Sequence, residues 1–386
     1  MEHNLIPQLR FAEFVDDWLS KKLETLGEYF GGGTPDTSVK YYWNGLIPWI
    51  SSSDLIEGSI YVINKSRFIT NEAISLSATK LVPKGSILMV SRVGIGKFAV
   101  ADEDLCTSQD FTNLISTQNG YFLCYYFKAR SNRFLRLSQG TSIKGFTIKD
   151  IKSAKFLIPS PPEQTKIAIF LMAIDKRIQI LQKKKTDLEQ YKKGVMQKLF
   201  SRSIRFKKDD GSNFPDWKEK KLRAVCEITK GKQLNKSELA DIAIYPAING
   251  GIGPSGYTEN WNTLENTITI SEGGNSCGYV NFIGTKFWSG GHCYSLLNLK
   301  DEMEKGYLYQ SLKFNQNLIM RLRVGSGLPN IQKKDINNLK FLVPIKDEQK
   351  KIANFLISID KSIDKIGAQI EDSIVFKQGL LQKMFV

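Results

Sequence analysis

Two stretches of the chain carry apolar residues at steps of four and three over a length that few globular helices reach. Starting at Ile167, these steps land on Leu171, Ile174, Ile178, Leu181, Lys185, Leu188, Lys192, Val195 and Leu199. Starting at Ile352, they land on Leu356, Ile359, Ile363, Ile366, Ile370, Ser373, Lys377, Leu380 and Met384. Eight of the ten seam positions are apolar in each stretch, the heptad signature of a coiled coil. A stripe this narrow does not stabilise an isolated helix, so the two helices are expected to pack on each other. Each follows a strand that ends in proline, Ile158-Pro159 or Val343-Pro344, and carries Glu in its first turn, as helix starts do. The long intervening segment leaves parallel and antiparallel pairing both open.

The two stretches are copies of each other. Residues 150–200 match 335–385 at a constant offset of 185 without a gap, with 23 of 51 positions identical. Asp150-Ile151 falls on Asp335-Ile336, Glu163-Gln164 on Glu348-Gln349, and Ile174-Asp175-Lys176 on Ile359-Asp360-Lys361. A shorter echo opens each half: Asp17-Trp18 and Lys21-Lys22-Leu23 recur as Asp216-Trp217 and Lys220-Lys221-Leu222, at offset 199. Between these shared frames, residues 24–146 and 223–331 show little in common beyond Gly140 on Gly325. A kept frame around divergent contents points to one mechanical role and two recognition tasks.

The divergent segments read as mixed α and β. Strands are predicted at Leu46–Ser51 and Ser86–Arg92 in the first, and at Thr267–Ser271 and Gly278–Phe282 in the second. Glycine-rich turns separate them, among them Gly31-Gly32-Gly33, Gly94-Ile95-Gly96, Asn249-Gly250-Gly251 and Glu272-Gly273-Gly274. Basic helix-like stretches, Tyr121–Leu137 and Tyr307–Arg323, close each one.

The expected fold class is α+β: two mixed α/β recognition domains in pseudo-twofold arrangement, separated by two long helices in an antiparallel coiled coil. Four segments follow. Residues 1–158 form the first domain, with a frame segment at 1–23; residues 159–200 form the central helix. Residues 201–343 form the second domain, and 344–386 the last helix.

Charge narrows the partner. Lys and Arg number 54 against 39 Asp and Glu, a net +15. Such a surplus attracts polyanions, and nucleic acid suits it better than a membrane surface, because no terminal amphipathic segment has an aromatic apolar face. No apolar run is long enough to span a bilayer, and the start lacks a secretory pattern, so a cytoplasmic location is expected. The five cysteines form no CxxC pair, and only His3 and His292 could add imidazole; buried, reduced thiols are expected rather than a metal site.

Catalytic motifs are missing. The glycine clusters lack the full spacing of a dinucleotide or phosphate cradle. Ser160-Pro161-Pro162-Glu163 only approximates the Asn-Pro-Pro-aromatic tetrapeptide of DNA amino-methyltransferases, and no clustered carboxylates suggest a magnesium nuclease. A self-sufficient methyltransferase or nuclease with duplicated recognition domains, and a coiled-coil adaptor without a DNA role, are the rival readings.

The doubled motif resembles the specificity subunits of bacterial type I restriction–modification enzymes. It runs from Phe156-Leu157-Ile158-Pro159 through Glu163-Gln164-x-Lys166-Ile167-Ala168 to Ile174-Asp175, and again from Phe341-Leu342-Val343-Pro344 to Ile359-Asp360. Gly33-Thr34-Pro35 and Ile47-Pro48-Trp49-Ile50 look like the opening of that family's target-recognition domains, and Gly140-Thr141-Ser142 and Gly325-Ser326-Gly327 like their closing loops. The resemblance implies a non-catalytic subunit whose two domains each read one half of a bipartite, gapped target in double-stranded DNA. It implies that the helices set the spacing and dock two methyltransferase subunits, and that motor–nuclease restriction subunits join. This chain would hold no cofactor; S-adenosylmethionine, ATP and Mg²⁺ would belong to the partners. A helix of about 38 residues at ~1.5 Å each spans roughly 57 Å, an upper bound of about 17 base pairs at ~3.4 Å.

For contacts to DNA, Ser91, Arg92, Lys97, Thr141, Ser142 and Lys144 are the candidates in the first domain, and Asn249, Lys286, Arg323 and Ser326 in the second. Arg92 and Arg323 are the favoured base readers, because guanidinium binds guanine bidentately. Trp49 and Trp261 are expected in the core, and Lys183-Lys184-Lys185 as a solvated face.

Overall fold

The computed structural model describes residues 6–137, 145–325, 327 and 329–386. The chain divides into two compact units, residues 1–181 with 369–386 and residues 182–368. Each therefore takes part of both long helices.

Unit 1 is built on β1 (Gly27–Gly31), β2 (Ile47–Ile50), β3 (Ile87–Val90), β4 (Phe98–Val100), β5 (Leu105–Thr107), β6 (Phe111–Ser116) and helix α1 (Gly120–Ala129). An antiparallel sheet has the order β1-β6-β3-β4, and β2 runs parallel to β5 in a second sheet. The apolar run Ile87-Leu88-Met89-Val90 is wholly buried because the pleat sends alternate residues to opposite faces. Ile87 and Met89 join the cluster around Phe122 and Phe127 of α1, while Leu88 and Val90 join Ile50 and Leu105. The first long helix, α2 (Pro161–Phe200), follows.

Unit 2 repeats this order with β7 (Glu227–Lys230), β8 (Tyr245–Ile248), β9 (Thr267–Ser271), β10 (Val280–Ile283), β11 (Trp288–Ser289), β12 (Cys293–Leu297) and α3 (Lys305–Phe314). Its antiparallel sheet is β7-β12-β9-β10, and β8 runs parallel to β11. The second long helix, α4 (Lys346–Lys383), completes the set. Segments with little sequence in common thus share one topology.

The shared frame has a physical role in each unit. The opening echo and the later repeat meet as a two-stranded ribbon: Leu19–Lys22 pairs with Lys155–Ile158, and Lys218–Lys221 with Lys340–Val343. The Glu-Gln pair pins that ribbon to the helix start. Buried Glu163 accepts from Arg10 (2.7 Å) and from Trp18 Nε1 (3.2 Å), and buried Glu348 accepts from Arg205 (2.8 Å) and Trp217 Nε1 (3.0 Å). Gln164 Nε2 donates to the Pro159 carbonyl and its Oε1 accepts from Asn119 N; Gln349 does the same with Pro344 and Glu304 N.

The helices run antiparallel. In unit 1, Lys377 of α4 donates to Asp175 of α2 at 2.5 Å, and in unit 2, Lys192 of α2 donates to Asp360 of α4 at 2.6 Å. Early residues of one helix thus meet late residues of the other. All twenty seam positions are buried or half-buried. Two of the three seam lysines, Lys192 and Lys377, are explained by these ion pairs, since a buried ammonium needs a carboxylate.

The frame is longer than the sequence comparison gave. α1 and α3 align at the same offset of 185, carrying Leu123 on Leu308 and Lys128 on Lys313. Tyr125 donates to Asp175 (2.6 Å) where Gln310 donates to Asp360 (2.7 Å). Burial, reinforced by Lys377, pushes Lys128 down to about 8; burial, reinforced by Lys192, does the same to Lys313.

Several boundaries move. Tyr121–Leu137 is two helices, Gly120–Ala129 and Ser131–Leu137, and the second basic stretch is likewise Lys305–Phe314 and Gln316–Arg321. The strand expected at Gly278–Phe282 is Val280–Ile283, because Gly278 has φ of 87° and belongs to the turn. All five cysteines are buried and free. Among the described residues no helix is long and apolar enough to cross a membrane, and no cluster of His, Cys, Asp or Glu is arranged to hold a metal.

Candidate nucleic-acid interface

In each unit a central strand of the antiparallel sheet joins the edge strand beside it, β3 to β4 and β9 to β10, through a turn held by the same three backbone bonds. In unit 1 the turn is Ser91–Lys97. Ser91 N donates to Asp110 O (2.8 Å), and Ser91 O accepts from Phe146 N (3.0 Å). In unit 2 it runs from Glu272 to Tyr279. Glu272 N donates to His292 O (2.9 Å), and Glu272 O accepts from Ile331 N (2.9 Å). The closing bonds match as well, Val90 N to Lys97 O (3.1 Å) and Ser271 N to Tyr279 O (2.9 Å). The scaffold is therefore constant, and the side chains on it differ.

On the first turn Arg92 is exposed, as are Val93 and Gly94. Gly94 and Gly96 have φ of 93° and 99°, a backbone that lets the turn reverse tightly and that a Cβ disfavours. Ser91 is a support rather than a surface group: it is 4% exposed, and its hydroxyl donates to Asp110 O (3.1 Å). Lys97 ties the turn to the preceding loop, its ammonium donating to the carbonyls of Ser52 (3.3 Å) and Leu55 (3.2 Å). Arg92 is left as the exposed cation of this turn. Thr141, Ser142 and Lys144 lie outside the described residues, although the chain resumes at Gly145 against the Ser91 carbonyl.

In unit 2, Asn249 follows β8 beside the second turn. Its Oδ1 accepts from His292 N (3.1 Å), and a Cβ at Gly290 would lie 2.5 Å from that oxygen, which is why glycine stands there. The hydroxyls of Ser271 and Ser276 both donate to Gly250 O and tie the Asn249-Gly250 turn to the sheet turn. Arg323 is exposed, and its charge acts on Cys277 within the sheet turn. Asn249 and Arg323 thus both border that turn. Lys286 does not join them: it precedes β11, whereas Asn249 follows the parallel strand β8, so the two lie at opposite strand ends. The Lys286 ammonium sits 4.5 Å over the Trp261 ring, a cation–π arrangement. Trp261 is 42% exposed and corrects the expectation of core packing, whereas Trp49 is 4% exposed with its Nε1 donating to Gly33 O (2.9 Å). Ser326 lies outside the described residues.

The structure adds Glu272, which sequence reasoning read only as part of a glycine-rich turn. It occupies the place that Ser91 holds in unit 1. Its Oε1 accepts from Lys230 (2.6 Å) and Tyr294 (2.9 Å), while buried Oε2 has no hydrogen-bond partner among the described residues and lies 3.6 Å from His292 Nδ1. The signal available in sequence was a carboxylate closing a strand directly before Gly-Gly. The opening motif Gly33-Thr34-Pro35 works internally: Gly33 N donates to Thr107 O (2.8 Å), joining the two sheets.

Taken together, each unit presents a sheet turn tied by backbone hydrogen bonds, with an exposed arginine close by. Exposed guanidinium groups on fixed backbone can contact phosphates and guanine edges in duplex DNA. Among the described residues no cluster of His, Cys, Asp or Glu near either turn is arranged to hold a metal.

The profile of the type I restriction modification DNA specificity domain matches residues 15–190 and 215–374. The chain is 28% identical over 407 residues to the specificity subunit of the type I restriction enzyme MjaIX from Methanocaldococcus jannaschii, covering 95% of this chain and 92% of the relative. It is 32% identical over 176 residues to the specificity subunit of the EcoR124I/EcoR124II enzymes from Escherichia coli, covering 43% of each. The fold is similar to that of the crystallised S subunit of a type I restriction–modification system from M. genitalium, with a TM-score of 0.70 and 20% identity over 99% of both chains. Two matched segments, one in each half of a chain whose halves share a frame, lead to one statement: the chain belongs to the family of type I restriction–modification DNA specificity proteins.

Proposed function

We propose that the chain is the DNA-reading, non-catalytic subunit of a cytoplasmic type I restriction–modification complex. Each unit reads one half of a two-part duplex sequence. The paired helices set the distance between the half-sites and dock two methyltransferase subunits, with motor–nuclease subunits joining for restriction. S-adenosylmethionine, ATP and Mg²⁺ are assigned to those partners.

One observation carries this reading: the same backbone bonds hold two sheet turns of different chemistry, Ser91–Lys97 and Glu272–Tyr279. A duplicated reader of one sequence would keep the turn residues along with the frame. Arg92 is the proposed base reader of the first half-site. In the second, Arg323 and Asn249 are the proposed readers, while Glu272, buried like its counterpart Ser91, positions the turn. Thr141, Ser142, Lys144 and Ser326, which lie outside the described residues, remain proposals on their sequence context alone. Ser91 and Lys97 act as positioning residues, and Lys286 as a phosphate contact.

The test is binding of the chain, assembled with its methyltransferase subunits, to duplexes in which one half-site at a time is scrambled. Loss on scrambling either half, with a steep fall in affinity as salt rises, is the expected result. Binding that ignores one half entirely would refute a bipartite reader.

A further inference from the structure

Unit 2 contains a cavity of about 550 Å³ at a place that unit 1 fills with its own side chains. The cavity lies between α3 and α4 beside the edge strand β10, lined by Phe282, Glu304, Tyr309, Gln310, Ile357 and Asp360 among others. At the matching place in unit 1 the groove between α1 and α2 is filled from within. Tyr61 and Tyr121 stack there at 5.8 Å, and the Tyr61 hydroxyl meets that of Tyr125, which donates to Asp175. The segment carrying Tyr61 lies along the edge strand β4, with Ile60 O accepting from Val100 N (3.0 Å).

At the constant offset, Gly306 stands in unit 2 where Tyr121 stands in unit 1, and Gln310 where Tyr125 stands. Gln310 Nε2 reproduces the bond to the aspartate, at 2.7 Å to Asp360. Its Oε1, in a side chain that is 0% exposed, has no partner among the described residues. At the matching position of the repeat, the Tyr125 hydroxyl meets that of Tyr61 as well as bonding its aspartate. A buried acceptor left unpaired is costly, so the site calls for a donor. The walls call for an aromatic ring, through Phe282, Tyr309 and Ile357. A cationic occupant is disfavoured because Lys305 and Lys361 offset Glu304 and Asp364 at the rim, and Asp360 is already paired with Lys192.

We infer that this cavity receives a tyrosine side chain presented by a partner polypeptide, as its counterpart receives Tyr61 from within the chain. The phenol ring lies against Phe282 and Tyr309, and its hydroxyl donates to Gln310 Oε1. The inference does not depend on which residues read DNA.

The full chain, alone or assembled with its methyltransferase subunits, is titrated with N-acetyl-tyrosinamide, p-cresol and toluene, and binding is followed by calorimetry or ligand-observed NMR. The amide and p-cresol are expected to bind comparably, and toluene roughly tenfold more weakly, the worth of one hydrogen bond to a buried acceptor. Gln310→Leu should erase the difference between p-cresol and toluene. Asp364→Trp, at an exposed rim position, should abolish binding of all three without touching the core. Equal binding of toluene and p-cresol to the wild type, or undiminished binding to the Asp364→Trp chain, would overturn the inference. Binding of p-cresol with exclusion of the amide would overturn the assignment to a polypeptide.

Discussion

Arg92 and Arg323 are exposed beside equivalent turns, and the matched residues Ser91 and Glu272 are buried within those turns. Arg92→Ala is expected to relax recognition at the first half-site alone and to cost about 1–3 kcal/mol there. Equal weakening against every sequence in a competition binding assay would make it a phosphate contact. Glu272→Gln is expected to alter preference at the second half-site and leave the first untouched, read by the same assay. Lys128 gives a different residue-scale prediction, because burial, aided by Lys377, holds its pKa at about 8 against the usual 10.5. The folded value is below the unfolded one, so the cost of the buried charge is fully present below pH 8 and is relieved between pH 8 and about 10.5. Lys128→Met should therefore stabilise the protein at pH 7 by about 1–3 kcal/mol, discounted for partial exposure, with the advantage shrinking at pH 9.5. Denaturant midpoints at the two pH values check it. At this scale the sequence was only partly legible. It singled out Ser91 and Asn249 by residue type and turn context, yet the Ser91 hydroxyl and the Asn249 Oδ1 turned out to be engaged in supporting backbone. Glu272 was hidden because a carboxylate before Gly-Gly reads as turn chemistry until its burial is known.

Among the elements, the heptad seams were the most legible feature, since all twenty positions lie buried or half-buried. The expected antiparallel orientation holds as well, although the seam pattern alone left it open, and two ion pairs between residues distant in sequence accompany it, Asp175 with Lys377 and Asp360 with Lys192. Removing one partner of such a buried pair strands the other charge. Asp175→Ala is expected to cost about 3–5 kcal/mol, and the double replacement Asp175→Leu with Lys377→Leu far less. Comparable losses in the single and double variants, by chemical denaturation, would show that the pair itself carries no coupling. The sheets were less legible than the helices. Unit 1 strand β3 is buried on both faces and reads as a plain apolar run, and the common topology of the two units rests on backbone bonds rather than on shared side chains. Helices α1 and α3 escaped the repeat comparison for a similar reason: they keep buried Leu123 and Leu308, and Lys128 and Lys313, while most of their other residues fit different cores.

For the whole molecule, family membership and bipartite organisation were legible early, because two copies of one frame enclosed unlike segments. If the paired helices act as a spacer, inserting seven residues into each, after Leu181 and after Ala368, keeps both seams in phase. At ~1.5 Å per residue this adds about 10.5 Å, so the gap between half-sites is expected to lengthen by about three base pairs. The most direct measurement is a map of methylated bases in the genome of a cell expressing this chain with its methyltransferase partner, with and without Arg92→Ala. The account predicts a single motif of two short defined blocks separated by a fixed number of unspecified bases, with the variant degenerate in one block only. A continuous motif, methylation without sequence preference, or equal loss in both blocks on Arg92→Ala would contradict it.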